Sequence, residues 1–518
     1  LALPAAGVLL TLGIVLGRNA SPAAERLAAV DEAIAEIEAI QGSVEQQTLL
    51  AIALGIRANY LVEASDLDAA HEAGEAARRI AERVGDRETL LDLGLTSARV
   101  AVAAGRFREG LPEGLALSRA ARDEGFEGVG VTGYRNMAML AAQLMDYDVA
   151  RIAIGEGLRY ADEIEQTHCR QMMAATSALM SWAAGAWDEA DALARQELVD
   201  HGCRRGVIGS LEVMGLVAMG RGDVEAASRW LDESLASGRG TTEVQAILPS
   251  LWVRAELDLV TGNPLAAAER SREALDLCVA TRHRVLLVPF VVTGTRAWIA
   301  AHRPDEAEHW LDAVRAALGG WEAVAGPALA HADGLVRLAT GSVTAAREGF
   351  DVALQGWERL GRTWEASWAR LDLANALMRA NRFGEAGPLL AQVRELAERL
   401  GSAPLLARVE ELGRAGRGRT AIEEPWRPLS AREFEVAGLV TAGMTNAEIA
   451  AELTISPKTA SAHVEHILAK LGVMRRAEIA AWTASIGRAV APAAAPATGP
   501  AAIPVPGTEP SSAVGATR

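Results

Sequence analysis

The sequence predicts an all-α protein: a long superhelix of helical hairpins followed by a compact block of short helices. Three observations carry that prediction. A turn signal recurs about every forty residues through residues 1–410. Alanine and leucine, the best helix formers, dominate a chain that is only 4% aromatic. Three helix-capping signatures then stand in close order between Ser430 and Pro457.

In chain order, the first 17 residues, LALPAAGVLLTLGIVLG, are apolar. A membrane helix needs about 20 such residues, and a secretory leader needs a basic start and a cleavage site. The stretch has neither. It is expected to be a buried helix of a chain that begins further upstream.

The turn signals follow. SDLDAA ends at Ala70, GRFREG at Gly110, MDYDVA at Ala150, GAWDEA at Ala190, RGDVEA at Ala226, TGNPLA at Ala266, HRPDEA at Ala307, TGSVTA at Ala345 and NRFGEA at Ala386. The steps are 40, 40, 40, 36, 40, 41, 38 and 41 residues, and a fainter RNASPAA ends near Ala24. There are nine clear repeats and one partial repeat. Each signal is built from turn formers and separates an apolar segment such as TSALMSWAAG from an amphipathic one such as DEADALARQEL. Each repeat is therefore a hairpin that cannot bury its apolar face alone, and stacking produces a superhelix with a concave binding surface. The beat resembles tetratricopeptide repeats, stretched from about 34 residues to about 40, as in sensor arrays of bacterial regulators. Six tryptophans, Trp298, Trp310, Trp321, Trp357, Trp364 and Trp368, admit two readings, a ligand groove or core packing.

Net charge is −16, which is unusual for a nucleic-acid binder. The acid is concentrated in residues 1–410, with 57 acidic and 40 basic side chains, whereas residues 411–518 carry 10 and 11. Cys169, Cys203 and Cys278 are odd in number and form no CxxC, so neither a disulfide framework nor a thiolate zinc site is indicated, and a reducing cytoplasm fits. His168 and His201, near two of these cysteines, lack a second spaced pair and read as helix-surface residues.

After Gly401 the beat stops. Residues 411–428, rich in Gly and Arg, are expected to be a linker, and residues 487–518, rich in Ala and Pro, a disordered tail. Between them lies a block at 429–486. Ser430 with Glu433, and Thr445 with Glu448, form two capping boxes, and Ser456–Pro457 starts a third helix. Only Thr454, Ile455 and Ser456 separate the second helix from the third, the spacing of a helix-turn-helix. At 100° per residue, Ala460, Val464, Ile467, Leu468 and Leu471 share the third helix's inner side. Lys458, Thr459, Ala462, Glu465, His466 and Ala469 share the outer side, with Ser461 at the border. Small outward residues let a helix sink into a major groove. The chain's only two lysines, Lys458 and Lys470, both lie on this helix, where a flexible point charge suits phosphate.

LSARE, TNAEIA, L.IS.KT, His463, Ile467 and KLGV at 470–473 resemble the LuxR-type DNA-binding domain over about 60 residues. The resemblance implies a four-helix domain whose third helix reads the major groove and whose fourth often dimerises. It places Lys458, Thr459, Ser461, Ala462 and Glu465 toward DNA, and Thr445 and Asn446 at phosphate. Ala460 stands where the family commonly has Val. Glu465 stands where some members carry a base-contacting Lys; it either accepts from cytosine N4 or is a solvated charge. A repeat array joined to this domain resembles the large MalT-like regulators. Those also carry a nucleotide-binding domain in front, whereas this chain has no GxxxxGK[ST] and no lysine before Lys458. It is therefore either a shorter regulator or a piece of a longer one.

No nucleophile elbow, HExxH, phosphate loop or metal-ligand pairing is present, so neither an enzyme nor a cofactor is expected. The expected partners are double-stranded promoter DNA, a second copy of the chain on that DNA, RNA polymerase, and a small-molecule or protein inducer on the array. The rival reading is a repeat scaffold for a protein partner.

Overall fold

The computed structural model describes residues 7–8, 11–14, 23–40, 42–64, 66–199, 203–241, 243–422 and 428–490. Most of the leading apolar stretch, His201, and the tail beyond residue 490 lie outside them. Among the described residues every regular element is helical. None of these helices is long and apolar enough to cross a membrane. The chain divides into two compact units, Leu1–Arg414 and Ala415–Arg518.

The first unit is the repeat array. Among the described residues, nine hairpins run from Val44–Glu63 with Leu67–Val84 to Thr363–Arg379 with Phe383–Leu400. The helix Ala23–Glu38 precedes them, and Ala403–Ile422 follows. The period is explained by helix length. Arg87–Ala103, Phe107–Asp123, Glu127–Gln143, Tyr147–Glu163 and Thr167–Ala183 each have 17 residues, and three-residue turns separate them. The middle residue of each turn is left-handed: Gly105, Gly125, Met145, Glu165 and Gly185, twenty residues apart. The next residue donates its N–H to a carbonyl five positions back, as Arg106 does to Ala101 at 2.8 Å and Asp146 to Ala141 at 2.9 Å. This closes the orphaned helix carbonyls. Glycine adopts that backbone freely, but Met145 and Glu165 do not. The apolar side chain of Met145 packs against the core.

The two helices of a hairpin differ because their surroundings differ. Twelve of the 18 residues of Arg204–Arg221 are buried, against five of the 16 in Val224–Arg239. A helix flanked on several sides is apolar nearly all round, while one flanked on a single side is amphipathic. The first helices also line the array's cavities. Many interfaces are built of small residues; Ala98, Ala121, Ala138 and Ala178 are fully buried. Most of the tryptophans pack in the core, and Trp321, Trp357, Trp364 and Trp368 also reach the walls of cavities. Trp298, Trp310, Trp321, Trp357 and Trp364 are buried, and Trp368 is half-buried.

One expectation is corrected. The expected linker at 411–428 starts as helix rather than coil: residues 411–422 continue Ala403–Ile422, and residues 423–427 lie outside the described residues. Leu405, Val409 and Leu412 bury one face of this helix, the Ser402 hydroxyl donates to the Gly220 carbonyl at 2.7 Å, and arginine is itself a good helix former. Composition suggested a linker because the glycines stand out, while the apolar stripe is short.

Among the described residues the second unit holds, after the end of Ala403–Ile422, the helices Ala431–Thr441, Asn446–Glu452, Pro457–Leu471 and Arg476–Val490. They enclose a core of Leu429, Val436, Ala437, Val440, Ile449, Ala450, Ala460, Val464, Ile467 and Ile479.

Candidate nucleic-acid interface

The capping residues set the angles between the short helices. The Ser430 side chain accepts from Glu433 N while Ser430 N donates to Glu433 Oε2 at 2.7 Å. Thr445 and Glu448 repeat the reciprocal pair. Ser456 accepts from Thr459 N at 3.1 Å, with Pro457 in the first turn. Between the second and third helices Thr454 is left-handed, and Ile455 N donates to Ala450 O at 2.9 Å. The sharp turn is thus closed in the same way as the array's turns.

This geometry fixes which face of the third helix is free. Ala460, Val464 and Ile467 are buried, and Leu468 and Leu471 pack on the same core. Lys458, Thr459, Ala462, Glu465, His466 and Ala469 are exposed, whereas Ser461 and His463 are half-buried. The exposed strip has one cation at its start, one acid midway, and two alanines that add no bulk. It is a shallow surface that a groove floor can approach.

Among the expected contact residues, Thr445, Asn446, Thr459, Ser461 and Lys470 are engaged within the protein, Thr459 through the Ser456 hydroxyl at 2.7 Å. The Thr445 hydroxyl belongs to its capping box and donates to Glu448 Oε2 at 2.8 Å. Asn446 Nδ2 donates to Ser461 Oγ at 2.8 Å, and Asn446 Oδ1 accepts from Arg476 Nη1 at 2.7 Å. Lys470 Nζ donates to Glu433 Oε2 at 2.7 Å. The two lysines therefore differ: Lys458 is exposed at the start of the third helix, and Lys470 ties its end to the first helix. Lys470 also sits where a cation complements the helix dipole.

Sequence reasoning missed Arg476. It donates to Asn446 Oδ1 and to the Met444 carbonyl, joining the fourth helix to the entrance of the second. A single arginine at the start of a helix carries no periodic signal, so spacing alone did not reveal it.

Glu433 joins both devices. Burial works to raise its pKa, but the Lys470 and Ser430 hydrogen bonds overcome this and hold the carboxyl down at about 2. A depressed folded-state value contributes stability above the ordinary carboxylate range, and that stability is lost as pH falls through it toward the folded value. The unit is expected to lose roughly 2 kcal/mol between about pH 5 and pH 2, because the partner Lys470 is half-exposed and partly screened. Hydrogen exchange in Ala431–Thr441, corrected for intrinsic rates, measures this. A Glu433→Gln variant should be less protected at neutral pH and lose less across that window, where the lowered pKa of Glu448 in its own cap still contributes; a wild-type unit that is flat there rules out the linkage.

Comparison with known proteins bears on this unit. Residues 427–483 match the family model of bacterial regulatory proteins, luxR family. Over 73 residues the chain is 37% identical to an HTH-type transcriptional regulator of Mycobacterium bovis, covering 14% of this chain and 8% of that protein. Over 70 residues it is 37% identical to the oxygen regulatory protein NreC of Staphylococcus carnosus, covering 14% of this chain and 32% of that one. The chain thus matches less than a third of the length of either relative. In fold it is similar to a Rap protein solved in complex with competence and sporulation factor, with TM-score 0.52 and 14% identity over 68% of this chain and 99% of that chain.

Proposed function

We propose that this chain, whose residues 427–483 are a LuxR-type helix-turn-helix domain, is a sequence-specific transcription regulator controlled through its repeat array. One observation carries the reading: the third helix presents an exposed, small-residue strip that begins at Lys458 and Thr459, opposite an inner face whose Ala460, Val464 and Ile467 are buried in the core. The names of its relatives, a transcriptional regulator and an oxygen regulatory protein, point the same way.

In this reading Lys458, Thr459, Ser461, Ala462, Glu465 and His466 approach the major groove. Thr445 and Asn446 shape the phosphate side of the second helix, and Lys470 braces the third. Residues 427–478 carry six basic and six acidic side chains, so counterion release contributes little and non-specific affinity is low. Binding as a homodimer on paired half-sites supplies the missing affinity. The array senses a small molecule or protein, contact with RNA polymerase follows at the promoter, and the chain acts in the cytoplasm without catalysis.

The test is a genome-wide pull-down of DNA bound to the whole chain, beside a Lys458→Ala, Thr459→Ala double variant. Discrete paired sites are expected for the wild type. The variant should lose them, with an affinity about 10- to 100-fold weaker in vitro. Sites that persist unchanged in the variant would sink this reading and favour a partner-binding scaffold.

A further inference from the structure

The array forms an open cavity of about 190 Å³ that DNA binding leaves unused. Residues from Arg26 to Trp321 line it, so hairpins distant in sequence share one chamber. Arg26 joins its two sides. Its Nη1 donates to Glu63, and its Nη2 lies 3.1 Å from Glu243 Oε1. The superhelix has come round far enough for the start of the array to meet the sixth hairpin, Val244–Val260 with Pro264–Thr281.

The charge inside this chamber opposes that of the protein. Arg26, Arg99, Arg135, Arg205, Arg282 and Arg284 line it against two glutamates, Glu63 and Glu243. That is a surplus of four positive charges in a chain of net charge −16. Both glutamates are already paired: Glu63 with Arg26 and Arg99, Glu243 with Arg26 and Arg205.

Arg135 has no such partner. Its Nη2 donates to Asn136 Oδ1 at 2.9 Å and its Nη1 faces Cys169 Sγ at 3.9 Å, while its Nε is buried with no hydrogen-bond partner. Arg284 and Arg282 stand exposed at the rim, and Arg284 Nη1 donates to the Gly319 carbonyl at 3.1 Å. Burial holds Arg99 below its ordinary value, and the nearby Arg135 and Arg205 add to that against the pull of Glu63. Buried guanidinium groups without matching carboxylates are costly, and an anion placed among them removes the cost. The rest of the lining includes Val102, Met139, Leu140, Met172 and Trp321, which suits an apolar body.

We propose that this chamber binds a small organic anion, one with an apolar body and at least two negative charges as carboxylate or phosphate, held by Arg135 and Arg99 inside and by Arg284 at the rim. The proposal rests on the reading of the array as the sensor and names the class of molecule it senses. Paired guanidinium–carboxylate or guanidinium–phosphate contacts supply orientation as well as energy. The surplus charge selects against neutral and cationic analogues.

The test is calorimetric titration of the whole chain at constant ionic strength with suberate, citrate and pyrophosphate, and with neutral suberamide as control. At least one of the three anions should bind saturably with a Kd below about 1 mM, and suberamide should not. Suberate against pyrophosphate separates carboxylate from phosphate preference. Arg135→Gln should weaken binding about tenfold. Arg284→Gln, on the exposed rim, should weaken it several-fold without disturbing the fold. Binding of DNA is measured on the same samples. Loss of DNA binding alone leaves the anion site standing and removes the regulator reading. No anion binding above a sodium chloride control, or two arginine variants that bind like wild type, overturns the proposal.

Discussion

Replacing Ile467 with alanine should abolish DNA binding by unfolding the C-terminal unit, while the array stays intact. Ile467 is fully buried, in a core of ten buried residues among those described. Deleting the outer part of such a side chain costs about 2–5 kcal/mol, because the cavity left behind relaxes only in part. A unit of this size has little margin against that loss. Hydrogen exchange is the measurement. The variant should lose protection in all four helices of 428–490 together, while the hairpins between Val44 and Leu400 keep theirs. The Lys458→Ala, Thr459→Ala variant should lose DNA binding with full protection. Protection retained in Ile467→Ala would mean that the third helix does not hold the unit together.

Gly238→Ala should destabilise the array by roughly 2 kcal/mol or more. A Cβ at this position would lie 2.4 Å from the Ala246 carbonyl oxygen and 3.0 Å from its carbon. Both are backbone atoms, so no side chain can swing aside, and the helices Val224–Arg239 and Val244–Val260 must separate. The gain in helix propensity from glycine to alanine is only about 0.5–1 kcal/mol and does not offset this. Gly384→Ala is the control: it lies in the helix Phe383–Leu400 with nothing within 4 Å of the new Cβ. Calorimetry should show a clear drop in Tm for the first variant and none, or a small rise, for the second. Equal behaviour would mean that the close approach at Gly238 is not a constraint.

These expectations depend on features that sequence reveals unequally. Periodic signals were legible. The nine turn signals fall between the two helices of the nine hairpins, and both capping boxes form between the expected residues. Such signals are local, since a cap or a turn is decided within four or five residues. The inward and outward faces of Pro457–Leu471 were legible for the same reason, because helical geometry follows from spacing alone. Contacts between elements were not. Nothing in the spacing says that Lys470 meets Glu433, or that Asn446 lies between Ser461 and Arg476. The meeting of Arg26 with Glu243 depends on the accumulated rotation of many hairpins, to which each repeat adds an amount no motif encodes. The left-handed turns at Met145 and Glu165 were hidden because neither residue type announces that backbone.

The twenty-residue spacing of those left-handed turns gives the array a phase. Helices that line the inner surface alternate with helices that face outward, so the array is a sequence of unlike halves. Duplicating or deleting twenty residues would preserve every helix and every turn yet exchange the two roles for all that follows, placing amphipathic surfaces inside and apolar ones in water. Only changes by a whole hairpin, about forty residues, keep the roles in place. The array can therefore lengthen or shorten over evolution only in whole hairpins, so the size of its inner chamber changes in discrete steps.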